Sequence, residues 1–339
     1  MAIMVRRADI DSDRNVLINT LTRYLDLADQ RRYDWLYEAS PFGRAHAWLA
    51  VDSSGEAIGA AAVFPRPMLL SGQAFMGCVL GDFCISEQHR SLGPALQLLR
   101  ECLAGTRTGE YAFAYDFPSK PMMAVYSRLG LKPTRSLLHL TKPLHMNPGV
   151  FGCRRDSWMG HIIGRVGDSV LRHLEKQPTS AFVFTQHNER FGEEFTLLAN
   201  EIGQAYTLCT FRSATYLNWR YKDHPSRQYR VVTARTRKGK LVGYAVFNCG
   251  PEDATIVDLI GERNPQLLQG LVLTVAAHLR SEGSTTLYFP LIEDSAWVST
   301  MRRIGFIARR GSPVIMYAGQ GNTHSVPDKV LLLAGDRES

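Results

Sequence analysis

Two successive series of apolar stretches run along the chain, and each series predicts strands that alternate with helices. In the first series, apolar or alternating runs predict strands at 3–8, 45–51, 57–64, 73–86, 111–117 and 136–141. Apolar residues three and four positions apart predict helices at 11–25, at 33–38, from residue 93 onward and at 120–129. This half is therefore predicted to be a sheet flanked by helices.

The second series follows the same plan. Its apolar runs predict strands at 181–185, 229–236, 241–248, 254–260, 285–291 and 313–317. Helical spacing predicts helices at 193–201, 216–221, 265–282 and 296–304. Because the order of elements is the same in both series, the pattern favours a duplicated fold.

Glycine positions support the duplication. The spacing Gly55-x-x-x-Gly59 lies at the predicted hairpin of the first half, and Gly239-x-x-x-Gly243 lies at that of the second. Gly130 ends a predicted helix in one half and Gly305 ends one in the other. We predict domains at 1–145 and 181–320, a linker at 146–180, and a polar tail at 321–339. An amphipathic pattern at 161–174 predicts a linker helix, packed between the domains or in contact with a membrane.

Composition narrows the class of protein. With 339 residues, of which 45 % are hydrophobic and 21 % charged, the chain is long enough for two globular domains with a large core. The six cysteines form no C-x-x-C pair and no zinc spacing, so we predict reduced, mostly buried thiols and no metal. The N-terminus lacks a signal-peptide pattern and no run approaches 18 apolar residues, which predicts a cytoplasmic protein without a membrane span.

The net charge of +7 suits an acidic ligand, such as CoA, an acyl carrier protein or a nucleic acid. The basic residues are dispersed in short pairs, and no nucleic-acid-binding motif is present. We therefore expect most of this charge to be solvated surface and predict no nucleic-acid partner.

The segment 84–95 carries the most specific chemistry. An apolar strand ends near Ile85, and a helical pattern opens after a short loop that contains Arg90, Ser91, Leu92, Gly93, Pro94 and Ala95. Free backbone N–H groups at a helix start suit a phosphate. Gly93 lets the backbone approach a ligand, and Pro94 lacks an N–H where none is needed.

This loop resembles the pyrophosphate loop of the Gcn5-related N-acetyltransferases, whose pattern is Arg/Gln-x-x-Gly-x-Gly/Ala. The order of predicted elements resembles that fold in both halves. The resemblance implies a mixed α/β fold of two tandem domains, each a mostly antiparallel sheet flanked by helices. It also implies acetyl-CoA or another acyl-CoA as cosubstrate, and polarisation of the thioester carbonyl by backbone N–H groups at Cys84 and Ile85.

The segment 119–131 resembles the family's Asn-x-x-Ala-x-x-x-Tyr-x-x-x-Gly-Phe pattern. The resemblance places Tyr126 at the tyrosine that protonates the CoA sulfur. A phenol with a pKa near 10 is protonated at neutral pH and suits that role. Ser119, Met122 and Leu131 replace the pattern's Asn, Ala and Phe, which leaves the contact of Ser119 with the pantetheine arm open.

Three further residues are candidates with open alternatives. Asp82 interrupts an apolar strand, where a carboxylate is costly unless it is paired, so it is either a general base or half of a salt bridge. Asp116 ends a predicted strand and either orients the acceptor or is structural. Trp219, in the aromatic segment 216–225, either lines the acceptor site as a stacking face or packs on its own sheet.

The second half lacks these features. Its segment 261–266 has no Arg-x-x-Gly-x-Gly pattern, and Met301 stands where Tyr126 stands in the first half. A thioether cannot donate a proton. We therefore interpret the second half as a degenerate copy, and the chain as an N-acyltransferase that acts on a small-molecule amine in a ternary complex. A long-chain or acyl-carrier-protein-dependent acyltransferase and a non-catalytic acyl-CoA-binding protein remain alternative functions. The oligomeric state stays open, with a homodimer as one candidate.

Overall fold

The computed structural model describes residues 3–25, 29–89, 92–145, 181–319 and 327–337. The predicted linker at 146–180, with its helix at 161–174, lies outside the described residues. So do Arg90 and Ser91 of the predicted phosphate loop.

The strands are β1 (Met4–Ala8), β2 (His46–Val51), β3 (Ala57–Leu70), β4 (Gln73–Ile85), β5 (Ala114–Asp116), β6 (Arg135–Pro143), β7 (Phe182–Gln186), β8 (Leu208–Thr210), β9 (Tyr229–Thr236), β10 (Leu241–Cys249), β11 (Asp253–Gly261), β12 (Thr286–Ile292), β13 (Ile307–Tyr317) and β14 (Val330–Leu331). The helices are α1 (Arg14–Tyr24), α2 (Gln30–Tyr33), α3 (Leu92–Thr108), α4 (Lys120–Arg128), α5 (Glu193–Gly203), α6 (Ala214–Leu217), α7 (Pro265–Ser281) and α8 (Trp297–Arg303). The predicted mixed, mostly antiparallel sheet with flanking helices is confirmed.

The fourteen strands of the described residues belong to one sheet. Its main path runs β1-β2-β3-β4-β5-β13-β6-β12-β11-β10-β9-β7, while β8 and β14 branch from β3. Strand β6 of the first half pairs with β12, where Leu140 lies opposite Phe289. Strand β13 of the second half pairs with β5, where Ile315 lies opposite Asp116. The two halves thus exchange their closing strands, and spatial order does not follow sequence order.

The buried residues form two groups on opposite faces of the sheet. The smaller group packs α3 and α4 against the first half and includes Leu98, Leu99 and Tyr126. The larger group covers the other face and continues through the second half. Four of the five described cysteines are buried and Cys249 is exposed, in line with the expected reduced thiols.

A repeated aromatic motif joins the halves. Helix α2 continues into a π turn at Asp34–Glu38, and α6 continues into one at Asn218–Lys222. Trp35 and Trp219 stack with ring centroids 4.9 Å apart. Each indole N–H donates to the other tryptophan's carbonyl oxygen, at 3.0 and 3.3 Å. The two halves therefore meet through equivalent positions of the repeat.

The segment 327–337, called the strap below, corrects the prediction of a polar tail. Its apolar run from Val330 to Leu333 is buried, and so is Asp336. The strap forms β14 with β8 and a single bridge between Leu333 and Leu291. Among the described helices, none has the length and apolar character needed to cross a membrane.

Candidate active site

The candidate site is a gap between the parallel strands β4 and β5. These strands pair only at Cys78 opposite Ala114 and at Val79 opposite Tyr115. Strand β4 then continues for six residues to Ile85, held on its other edge by β3. The β5-facing edge of residues 80–85 has no strand partner in the described part of the chain. Its backbone groups can therefore accept an extended ligand as an added strand.

A bulge in β4 helps to open this gap. Ala60 lies opposite Cys84 and Ala62 opposite Gly81, so Asp82 and Phe83 together face the single residue between those two alanines. Asp82 has a φ of 51°, an unusual conformation for a residue other than glycine. A bulge bends its strand and increases the local twist, which turns the end of β4 away from β5.

The bulge also decides which N–H groups face the gap. The N–H of Ser86 donates to Ile58 on β3 at 2.8 Å. Because backbone groups alternate between the two edges of a strand, the N–H of Ile85 faces the gap, and that of Cys84 faces β3. Of the two predicted positions, Ile85 is therefore the one that can donate to an acyl carbonyl. The Cys84 thiol is buried, and burial raises its pKa to about 12, which leaves it protonated.

Two helices begin at the same end of the gap. Helix α3 follows β4 and helix α4 follows β5, so their amino ends, with unpaired N–H groups, come to this edge. Gly93 is exposed, and a Cβ there would meet no atom within 4 Å. Ala95 is buried against the sheet. Ser119 accepts the N–H of Met122 as the cap of α4.

Tyr126 and Asp116 are brought together. The fully buried Tyr126 hydroxyl donates to Asp116 Oδ2 at 2.7 Å. Burial, and then the neighbouring carboxylate, raise the pKa of Tyr126 well above 10. The phenol therefore keeps its proton at every pH at which the chain is expected to work. It is a proton donor whose acceptor in this structure is Asp116.

Asp82 is held by a buried ion pair. Its two oxygens accept from the two terminal nitrogens of Arg32, each at 2.7 Å, and Oδ2 also accepts the Tyr37 hydroxyl at 2.8 Å. The side chains of Asp82 and Arg32 are 4 % and 9 % exposed. This geometry favours the salt-bridge alternative over the general base, because a base needs access to the attacking amine.

The second half repeats this arrangement around Asp258. Asp258 accepts from Arg212 Nε at 2.8 and 3.0 Å, and from the Tyr221 hydroxyl at 3.0 Å. Tyr37 and Tyr221 occupy matching places, two residues after Trp35 and Trp219. The sequence contains the signal, Trp-x-Tyr-x-x-x-Pro at 35–41 and at 219–225, although the glycine spacing that indicated the repeat did not reveal it.

Trp219 is buried in the contact between the two halves. It is 4 % exposed, stacks on Trp35, and has the Arg66 guanidinium 5.0 Å from its ring centroid. The structure therefore supports the packing alternative for Trp219. The neighbouring His224 accepts the backbone N–H groups of Ser226 and Arg227 at 3.2 and 3.1 Å. Burial, followed by nearby arginines, lowers the pKa of His224 to about 3.

The corresponding gap of the second half is filled. Strands β11 and β12 pair only from Asp253 to Thr255 of β11, which then continues to Gly261. The strap lies along this gap: Leu333 bridges to β12, and Gly335 packs against Tyr221 and Val257. Arg212 Nη2 donates to Asp336 Oδ2 at 2.7 Å, and this buried ion pair anchors the strap.

The described residues contain no group of three or more His, Cys, Asp or Glu side chains arranged to hold a metal ion. The chemistry available at the gap in these residues is thus the edge of β4, the two helix starts and the Tyr126–Asp116 pair.

Solved structures resemble this one over nearly its whole length. A protein of Enterococcus faecalis V583, described as a probable N-acyltransferase, superposes with a TM-score of 0.69 at 12 % identity over 94 % of this chain and 73 % of its own. A Gcn5-related N-acetyltransferase of Anabaena variabilis gives 0.66 at 12 % identity, over 94 % and 73 %. Yeast N-myristoyltransferase with bound myristoyl-CoA gives 0.60 at 10 % identity, over 98 % and 89 %.

No protein-family model and no curated protein sequence matches the chain. The likeness is therefore one of structure, and it covers both halves of the chain. The chain has the fold of the Gcn5-related N-acetyltransferases.

Proposed function

We propose that the chain is an acyl-CoA-dependent N-acyltransferase that moves an acyl group, acetyl first among the candidates, from CoA to a primary amine of a small molecule. The single observation that carries this proposal is the unpaired edge of β4 beside β5, with two helices starting at its open end. An extended thioester arm fits such an edge, and a helix start fits its pyrophosphate.

In this proposal the arm lies beside residues 80–85, and the N–H of Ile85 polarises the thioester carbonyl. The loop from Arg90 to Ala95 and the start of α3 hold the pyrophosphate. The exposed, unobstructed Gly93 permits close approach of the phosphate to the backbone.

The transfer is direct. A neutral amine nitrogen attacks the thioester carbon, the C–S bond breaks, and an amide and a thiolate form. Tyr126 gives its proton to the sulfur after its hydroxyl turns from Asp116. The proton that the nitrogen loses passes, through solvent, to the tyrosinate that this step leaves. One proton thus leaves the nitrogen and one reaches the sulfur, and the Tyr126–Asp116 pair ends the cycle as it began.

The second half serves as a scaffold in this proposal. Met301 stands where Tyr126 stands, and the strap covers the gap that an acyl-CoA arm would need. A longer acyl donor is the second candidate, and the observation behind it is the likeness to a structure that holds myristoyl-CoA.

Calorimetric titration with acetyl-CoA and with myristoyl-CoA tests the proposal in three proteins: the wild type, Gly93→Glu and Gly192→Glu. Gly192 is a matched control, because it precedes a helix of the second half and a Cβ there would likewise meet no atom within 4 Å. We expect one site per chain, lost in Gly93→Glu through charge repulsion and retained in Gly192→Glu.

Two sites per chain would contradict the scaffold role of the second half. Unchanged binding in Gly93→Glu would contradict the assigned phosphate site. Binding of myristoyl-CoA alone would decide for the long-chain donor. Binding with no turnover on a broad amine panel would decide for a non-catalytic acyl-CoA-binding protein.

A further inference from the structure

The strap brings an arginine to the first-half site. The Tyr115 hydroxyl, on β5, donates to the carbonyl oxygen of Asp336 at 2.9 Å. The next residue, Arg337, places its guanidinium carbon 5.0 Å from the ring centroid of Phe117. Phe117 directly follows Asp116 at the end of β5, so Arg337 lies beside the mouth of the gap.

Arg337 lies on the face opposite the pyrophosphate helix. Side chains alternate along a strand, so Tyr115 and Phe117 point to one face, and Asp116 points to the other, toward Tyr126 on α4. Tyr115 belongs to the buried group that covers the face away from α3 and α4. A guanidinium on this face cannot contact a pyrophosphate bound at the start of α3. It lies on the opposite face of the sheet, where an acceptor can enter the gap.

Hydrogen bonds to the backbone of the strap hold Arg337 in place. Arg220 donates to the carbonyl oxygens of Gly335 and Arg337, each at 2.8 Å. Asp336 is anchored by the buried Arg212. Hydrogen bonds from two buried arginines therefore hold the backbone from Gly335 to Arg337, and the half-buried guanidinium extends from this held segment.

The guanidinium itself lacks an anionic partner among the described residues. Its Nε is buried without a hydrogen-bond acceptor, and no described carboxylate forms an ion pair with it. The neighbouring His139 is hydrogen-bonded to Ser312 at 2.9 Å. Burial, and then the charge of Arg337, lower the pKa of His139, so this histidine is neutral and does not compete for an anion.

We propose that the amine acceptor carries an oxyanion, a carboxylate or a phosphate, which Arg337 binds while the amine faces the thioester. The half-buried, planar guanidinium suits the two oxygens of such a group. The proposal rests on the proposed acyltransferase function and names the class of its acceptor.

The test compares acceptors that differ only in the anion. Each of several amino acids is assayed against its amide, and phosphoethanolamine against ethanolamine, with CoA release as the readout. We expect a kcat/KM at least about tenfold higher for the anionic member of a favoured pair, since a hydrogen bond between charged groups has about this effect. The amino-acid and phosphate arms identify which oxyanion is bound.

Arg337→Gln should reduce this preference to near one, through an increase in KM, with acetyl-CoA affinity unchanged. Arg337→Lys keeps the charge and should retain part of the preference, which guards against a variant that merely fails to fold. Arg237→Gln, at the exposed turn between β9 and β10, makes the same charge change away from the site and should have no effect.

Turnover without an anionic preference, or a preference unchanged in Arg337→Gln, would overturn the inference and leave the acyltransferase standing. Binding of acyl-CoA without acylation of any anionic amine would overturn it as well. Absence of acyl-CoA binding in the wild type would overturn the proposed function itself, and the inference with it.

Discussion

The two halves of the molecule share the same arrangement of strands around a gap, and they differ in what occupies that gap. Each has a parallel strand pair that separates after two or three residues, and each holds an aspartate beside the separation with a tyrosine and an arginine. In the first half no strand of the described residues fills the resulting gap, whereas in the second half the strap does. Features shared by both gaps therefore belong to the scaffold, and features confined to the first half are candidates for chemistry.

By this comparison, Asp82 belongs to the scaffold, because Asp258 has the same partners in a half without a phosphate loop. Tyr126 and Gly93 are the candidates for chemistry, since the second half has Met301 in place of the tyrosine and no equivalent loop. Matched substitutions in the two halves can separate these two groups.

The largest effect is expected at Tyr126. Tyr126→Phe removes the proton donor, and we expect kcat to fall by about 10² to 10⁴-fold with acetyl-CoA affinity unchanged. Loss of the buried hydrogen bond to Asp116 should also lower the melting temperature. Met301→Leu, at the matching place in the second half, should leave kcat unchanged. Steady-state kinetics of both variants provide the measurement, and full turnover in Tyr126→Phe would remove the acid role.

The pH dependence of kcat also tests the acid role of Tyr126. Because burial and Asp116 raise the pKa of Tyr126 well above 10, the phenol stays protonated as the pH rises. The wild-type kcat should therefore show no decline assignable to Tyr126 up to about pH 10. A falling limb between pH 8 and 9 that disappears in Tyr126→Phe would contradict the raised pKa.

The next largest effect concerns the two aspartates. Asp82→Asn and Asp258→Asn each break a buried ion pair, and we expect each to lower the free energy of unfolding by about 3–5 kcal/mol. Urea denaturation of both variants gives the comparison. If Asp82→Asn retained full stability and lost turnover while Asp258→Asn lost stability alone, Asp82 would be a base rather than a scaffold residue.

The effect expected at His224, in the second half, is absent at neutral pH and appears only as the pH falls. Its pKa is about 3 when folded and near 6.5 when unfolded, so the unfolded chain binds the extra proton between these values. The contribution of neutral His224 to stability is thus complete above pH 6.5 and is lost as the pH falls toward 3. His224→Asn keeps a side-chain acceptor for the turn and removes the titration.

Denaturation midpoints of the two proteins between pH 7 and 4 test this prediction. The wild type should lose more stability than His224→Asn over that interval, and parallel curves would contradict it. Other groups titrate in this range in both proteins, so the difference between the curves isolates His224.

The fold was predictable from sequence because periodicity and element order are local properties. The phosphate loop and Tyr126 each lie in a short segment whose spacing resembles a family pattern, and their roles stay predictions. The role of Asp82 was left open between base and salt bridge, because its partners Arg32 and Tyr37 come from a distant segment. The exchange of β6 and β13 was not predicted, because an apolar strand pattern does not specify its neighbour.

The strap illustrates a different error. Polar residues on either side led to the prediction of a tail, although the run Val330-Leu331-Leu332-Leu333 has the apolar character of a buried segment. The glycine spacing indicates the repeat but not the pairing of Trp35 with Trp219, because that pairing depends on aromatic residues at matching positions of the two halves. The location of Arg337 beside Phe117 depends on the path of the strap alone.

The exchanged strands have a consequence for synthesis of the protein. Strand β5, which forms one side of the candidate site, completes its pairing only with Ile315 to Tyr317 of β13, about 200 residues further along the chain. Until those residues emerge from the ribosome, β5 presents an open edge that invites association with other chains. The first half is therefore expected to remain incomplete during most of translation, and the site forms as one of the last events of folding.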